Sequence, residues 1–261
     1  MAGRTVVRGI VLRAVDTKES DRILTVLTAS MGKIAVVAKG ARSRRSRVAA
    51  ATQLLAYSEL TLSESHGWQI LSEAGTLELF QGLRQDVVLL SLGSYFAELT
   101  DAVTGEGLEA GEILSHLLNA LYALSSLHLD PRLVKPVFEW KLMALTGFAP
   151  LAEGCAVCAR EQPEAPMLDV VHGVLHCRSC RQGGGLDMPL TPSALEALRY
   201  VLWGNPKRLY AFSLEEEDLR LFHNAAEAYT AAQLERGFRT LDFYKRLCSD
   251  LLAAGESEHN L

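Results

Sequence analysis

The chain has 261 residues, 49% of them apolar and 22% charged, enough to bury a sizeable core in two or three modules. No apolar run reaches membrane-spanning length and Met1-Ala2-Gly3-Arg4 opens no signal-peptide core, so the expectation is a cytosolic globular protein with reduced thiols, not a disulfide scaffold. The net charge of −5 is unevenly spread: residues 1–50 hold eleven Lys and Arg against three Asp and Glu, a +8 segment ahead of a −13 remainder, which keeps a polyanion partner open.

In chain order, short runs rich in Val, Ile, Leu and Thr predict strands over Thr5–Ala14, Arg22–Thr28, Lys33–Lys39, Leu54–Ser63 and Trp68–Ala74, with turns at Ser30-Met31-Gly32 and His66-Gly67. Strands so short and closely spaced suggest a small five-stranded barrel. The break from Gly40 to Gln53 falls where the oligonucleotide-binding (OB) barrel interrupts its strands with a helix or long loop.

That break opens with Lys39-Gly40-Ala41-Arg42-Ser43-Arg44-Arg45-Ser46-Arg47, five cations in nine residues. Guanidinium forks match phosphate oxygens, and Ser43, Ser46 and backbone amides add neutral donors, so a nucleic-acid backbone is the natural ligand. Arg8, Arg13, Arg22 and Lys33 lie on adjoining strands. A solvated basic loop, or a patch for RNA, membrane or acidic protein, is the competing explanation. No Phe, Tyr or Trp occurs in residues 1–50, and the barrel offers only Tyr57 and Trp68, whose alternating strand positions suit core residues equally well. Binding should then lean on phosphate contacts, tolerate any sequence and weaken with salt.

From Phe80 the period becomes helical, with Leu83, Val87 and Leu90 on one stripe and Ile113, Leu117, Leu121 and Leu124 on another. Pro131–Phe148 continues as a helix closed by Gly147. Cys155-x-x-Cys158 and Cys177-x-x-Cys180 then form two knuckles at the spacing of a tetrahedral metal site, which two short hairpins turning at His172-Gly173 would bring together. Structural zinc is the expectation, while rubredoxin-like iron uses the same ligands. His172 and His176 read as surface residues of the hairpin, since four ligands suffice. After the glycine run Gly183-Gly184-Gly185, helices resume at Thr191-Pro192 and at Ser213, where Glu216 completes a capping box. The acidic run Glu215–Asp218 is the dipole-matched first turn of that helix rather than a magnesium site, and Cys248 reads as a buried helix residue.

Enzyme signatures are missing. Met31-Gly32-Lys33 lacks the earlier glycine and the following hydroxyl of a phosphate loop, and neither a His-Glu-x-x-His nor a Gly-x-Ser-x-Gly motif occurs.

Gly9-Ile10-Val11-Leu12, Glu19–Thr28 and Gly32–Arg42 together resemble the opening of the DNA repair protein RecO family. Phe138–Pro150 is similar to the helix leading into that family's cysteine module, Cys155 to Cys180 to its zinc-binding version, and Thr240-Leu241-Asp242-Phe243 to its C-terminal helix. The resemblance implies an α+β protein: an OB-type barrel (1–80), a helical domain in two parts (81–150 and 187–261) and an inserted four-cysteine zinc ribbon (151–186). It further implies a non-enzymatic mediator in the cytoplasm and nucleoid of a bacterium, binding single- and double-stranded DNA and annealing complementary strands without ATP. Such a protein works with RecR, meets the acidic tail of single-strand-binding protein and helps to load RecA in the RecF pathway. Carried onto this chain, Lys39, Arg42, Arg44, Arg45 and Arg47 would contact DNA with Arg22 and Lys33 in support. Cys155, Cys158, Cys177 and Cys180 would hold one zinc. Arg132, Lys135 and Lys141, with Lys245 and Arg246, are candidates for the acidic tail. A zinc-ribbon assembly factor that touches nucleic acid within a transcription-type complex is the competing function.

Overall fold

The structure, a computed structural model, describes residues 4–181 and 185–258; Gly183 and Gly184 of the glycine run lie outside the described residues. It forms two compact units, Met1–Leu127 with Phe238–Leu261, and His128–Gly237. Five strands come first: β1 (Arg4–Thr17), β2 (Asp21–Thr28), β3 (Gly32–Ala38), β4 (Tyr57–Ser65) and β5 (Trp68–Glu78). Helices α1 (Gln81–Arg84), α2 (Val87–Val103), α3 (Gly111–Ser125) and α4 (Pro131–Leu145) follow. Strands β6 (Leu151–Cys155), β7 (Pro166–Asp169), β8 (Val174–Cys177) and β9 (Asp187–Pro189) precede α5 (Pro192–Trp203), α6 (Glu216–Leu234) and α7 (Arg239–Glu258).

In the first unit, period-two alternation turns Val11, Leu24, Val36, Leu60 and Leu71 inward to fill a barrel. The barrel closes in the order β1-β2-β3-β5-β4, with every neighbouring pair antiparallel except β3 and β5. This is the strand order expected of an OB fold, in which one long first strand serves two partners. Residues 4–10 of β1 pair with β4 and residues 9–17 with β2. A register shift between Val11 and Arg13 supplies the bend that this sharing requires. Strand β4 starts at Tyr57, later than the expected Leu54, because Leu54–Ala56 dock the end of the preceding loop: Leu55 N–H donates to Val11 O at 2.9 Å and Val11 N–H to Ala56 O at 3.1 Å.

The same unit holds α1, α2, α3 and α7. The apolar stripes turn inward, with Leu92, Tyr95, Leu99, Leu117 and Leu121 fully buried. Asp86 caps α2 by accepting from the N–H groups of Val88 and Leu89. The start of α7 is fixed from a distance, since the Glu98 carboxylate accepts the Thr240 N–H at 3.1 Å, while Tyr95 meets Phe238 edge-on at 5.6 Å.

In the second unit, Trp140 of α4 is fully buried and stands 5.1 Å from Tyr229 of α6. As expected, Thr191 caps α5 ahead of Pro192, and α4 is closed by Thr146 as C-cap followed by Gly147, whose φ of 88° suits glycine. The capping box at Ser213 is not formed: α6 begins at Glu216, with Glu215 as its N-cap and no side-chain cap bond. The acidic run does form its first turn, where Arg220 holds Glu217 and Thr191 Oγ1 donates to Asp218 at 2.6 Å.

The cysteine module is a four-stranded sheet of order β6-β8-β7-β9. The expected pair of hairpins is replaced by one, β7 with β8, while β6 runs parallel to β8. Parallel neighbours end on the same side, and this brings Cys155 and Cys177 to one rim.

Candidate nucleic-acid interface and candidate metal centre

The loop between β3 and β4 forms successive turns rather than a helix. Its ends are pinned. Gly40 N–H donates to Asp21 Oδ1 at 2.8 Å, Arg42 N–H donates to Ser20 O at 2.9 Å, and Ala41, Ala51 and Leu55 are buried. Between these anchors Arg42, Ser43, Arg44, Arg45 and Arg47 are exposed. Lys39, just before them, is exposed too.

The expected cations fall into three groups. Lys39, Arg44, Arg45 and Arg47 make no ion pair among the described residues, so their full charge faces solvent. Arg22 and Arg42 share one carboxylate, Asp16, at 2.9 and 3.2 Å. The hydrogen bond from Arg22 holds the Asp16 carboxyl below its usual range; burial opposes this and the Arg42 charge adds to it. Lys33 is directed elsewhere: its Nζ lies 3.0 Å from Asp101 Oδ1 and donates to Asp101 O at 2.6 Å, an anchor for the C-terminal half of α2.

Trp68 is not a core residue. It is 50% exposed, at the end of the tight His66-Gly67 turn, whereas Tyr57 is half-buried.

The three candidates for an acidic tail do not form an exposed cationic pocket. Lys135 is fully buried, 2.9 Å from Glu139 and 3.0 Å from Glu227, because a charge at that helical position survives only when paired. Arg132 Nη1 donates to both carboxylate oxygens of Glu216 at 2.9 Å, its guanidinium is also paired with Asp130, and Lys141 Nζ donates to Leu202 O at 3.0 Å.

The four sulfurs of Cys155, Cys158, Cys177 and Cys180 all lie within 4.8 Å of one another. A tetrahedron with metal–sulfur bonds of about 2.3 Å has edges of about 3.8 Å; Cys158 and Cys177 Sγ stand 3.9 Å apart. The Cys155 sulfur accepts N–H bonds from Cys158 at 3.5 Å and Cys177 at 3.4 Å. Burial opposes its thiolate, but these amides and that of Val157 outweigh it and bring the thiol down to about 6. Hydrogen bonding with Cys158, then burial and the Cys155 charge, push Cys180 up to about 12. Thiolates packed this closely repel one another, so holding all four ionised calls for a central cation. The donor set fits a thiophilic metal ion.

The two histidines differ. His172 is exposed and contacts Asp169 Oδ2 through Nδ1 at 2.6 Å. His176 is buried, against expectation, because Asp187 takes its Nε2 at 2.8 Å and also meets Arg181, fastening β9 beside the second knuckle.

A closed barrel of OB strand order bearing a cationic loop, in one chain with a helical unit and a four-sulfur ribbon, defines an OB-barrel protein with a four-cysteine ribbon module. Residues 1–80 match the family model described as Recombination protein O N terminal and residues 84–242 the one described as Recombination protein O C terminal. The chain is 30% identical to DNA repair protein RecO of Acetivibrio thermocellus, over 92% of this chain and 95% of that one. Against DNA repair protein RecO of Symbiobacterium thermophilum the identity is 32%, over 93% and 97%, and against that of Exiguobacterium sibiricum 32%, over 95% and 97%. The chain belongs to the RecO family, and its role lies in DNA repair and recombination. Among the described residues no helix is long and apolar enough to cross a membrane.

Proposed function

We propose that this protein binds DNA through the barrel loop, anneals complementary single strands without nucleotide hydrolysis and, with RecR, helps to load RecA onto strands coated by single-strand-binding protein. The observation that carries this reading is the run Lys39, Arg44, Arg45 and Arg47, exposed and without ion pairs on a pinned loop of an OB-order barrel. Two strands repel through their phosphates, and a surface that neutralises both lowers the barrier to encounter. Base pairing then supplies the free energy, about 1.4 kcal/mol per step, so no active site is needed.

Cys155, Cys158, Cys177 and Cys180 would hold one zinc ion, which supplies a closed cross-link and leaves no open coordination position for hydrolysis. We assign the acidic tail of single-strand-binding protein no site on Arg132, Lys135 or Lys141: Arg132 and Lys135 are ion-paired and the Lys141 ammonium is turned to a backbone carbonyl of its own unit. The test is annealing of two complementary oligonucleotides by the purified protein without ATP. Acceleration at low salt that fades by about 0.2 M salt supports the reading. No acceleration at any salt moves the assignment to an assembly factor that touches nucleic acid without pairing strands.

A further inference from the structure

Outward-facing residues of the barrel follow the same alternation as the core, and on one side they build a groove. Leu24, Val36 and Leu71 point into the barrel, so Ile23, Val37 and Ile70, each one residue away, point out. Register places these three in one row across β2, β3 and β5, with Ile23 opposite Val37 and Val37 opposite Ile70. They floor a groove of about 310 Å³. On the same outer face Trp68 stands two residues before Ile70 on β5 and Lys39 two residues after Val37, just past the end of β3, so in this parallel pair they close the groove from opposite ends; Lys18, from the β1–β2 turn, also lines it.

Trp68 is held there rather than resting there by chance. His66 and Gly67 both have positive φ, 52° and 77°, as in the two-residue hairpin turn whose twist matches its strands. Trp68 pairs directly with Ser65 across that turn. An indole on so short a turn that leaves half its surface to solvent forfeits part of its burial energy.

The geometry points to a stacking subsite for one unpaired nucleobase, lying flat on Trp68 above the Ile23, Val37 and Ile70 floor, with its flanking phosphates on Lys18 and Lys39. This rests on the DNA-binding reading above and adds to it a preference for single strands. The occupant follows from the chemistry of the walls. A flat apolar floor with an aromatic side wants a planar partner. The rim carries two lysines against one carboxylate, Asp21, which is engaged by the Gly40 N–H, and this cationic excess, continuous with the exposed run that Lys39 begins, wants that partner on an anionic backbone. A duplex offers phosphates but keeps its base faces stacked on one another, so it cannot fill the floor. The groove thus couples the sequence-tolerant grip of the loop to the presence of a free base.

The deciding experiment compares oligo-dT with an abasic deoxyribose-phosphate strand of equal length, by fluorescence anisotropy, for wild type, Trp68→Ala and Trp68→Phe. Stacking on one residue predicts that Trp68→Ala weakens oligo-dT binding by about 5- to 150-fold and that Trp68→Phe restores most of it. On the abasic strand, with the same phosphates and no base, Trp68→Ala has no effect. An equal loss on both strands, or no loss on oligo-dT, overturns the subsite while leaving the loop assignment standing. Failure of the wild-type protein to bind either strand overturns the DNA-binding reading itself, and the subsite with it.

Discussion

Replacing Arg44, Arg45 and Arg47 together with alanine tests the loop at little cost to the fold, because none of the three makes an ion pair among the described residues and all are exposed. With Lys39 and Lys18 they offer five cations to a strand. Each phosphate contact on a single strand contributes about 0.7 to the slope of log affinity against log salt, so five contacts give a slope of about −3.5. Wild-type affinity for oligo-dT should therefore fall about 130-fold between about 0.05 M and 0.2 M salt, whereas the triple variant, with two contacts left, should lose only about 7-fold. Anisotropy titrations at four or five salt concentrations give both slopes. Lys33→Ala is the control: its charge is committed to Asp101, so it should lower stability by about 1 kcal/mol without altering the slope. A triple variant with the wild-type slope would refute the phosphate assignment, whatever its affinity at one salt.

The shared carboxylate gives a result of opposite sign: Asp16→Asn frees Arg22 and Arg42, so oligo-dT should bind more tightly and its salt slope steepen by up to about 1.4. Since the Asp16 carboxyl is held below its usual value, its contribution to stability is present above the unfolded value of about 3.9 and is lost as pH falls through the lower folded one. A melting-temperature profile of wild type minus Asp16→Asn should be flat from about pH 5 to 8 and close up only below about pH 4. Metal analysis should find one zinc per chain, and chelation should expose amides of residues 128–237 to hydrogen exchange while leaving the barrel protected; unchanged exchange there would contradict a structural metal. Lys135→Ala removes the buried cation beside the Glu139 and Glu227 carboxylates and should cost about 3 to 5 kcal/mol in denaturant unfolding, a size no exposed lysine reaches.

Residues whose environment is local were legible in the sequence, and those whose partner is remote were not. Alternation within single strands identified the barrel, because burial of every second residue is a property of one strand at a time. The knuckles were legible for the same reason, each metal-ligand pair being separated by two residues. The burial of Lys135 depends on Glu227 from another helix, and that of His176 on Asp187 beyond the glycine run, so neither could be seen from neighbouring residues. Trp68 stayed open for a different reason. Alternation states that adjacent residues face opposite ways but not which way is in, and only the closed barrel decides that Leu71 is core and Trp68 surface. The shift of the α6 start has a similar origin, since Asp218 is engaged by Thr191 of a distant turn.

The one parallel junction of the barrel, β3 with β5, consists of only two register pairs, Val36 with Gln69 and Val37 with Ile70. The β1–β4 pair joins segments still further apart in sequence, but it does so with seven register pairs. With two pairs to offset its loop-closure entropy, the β3–β5 seam is the weakest in the barrel wall. A chain emerging from synthesis thus carries its cationic loop before it carries a finished wall, and discrimination between a bare phosphate chain and one with free bases is a property acquired only when β3 meets β5.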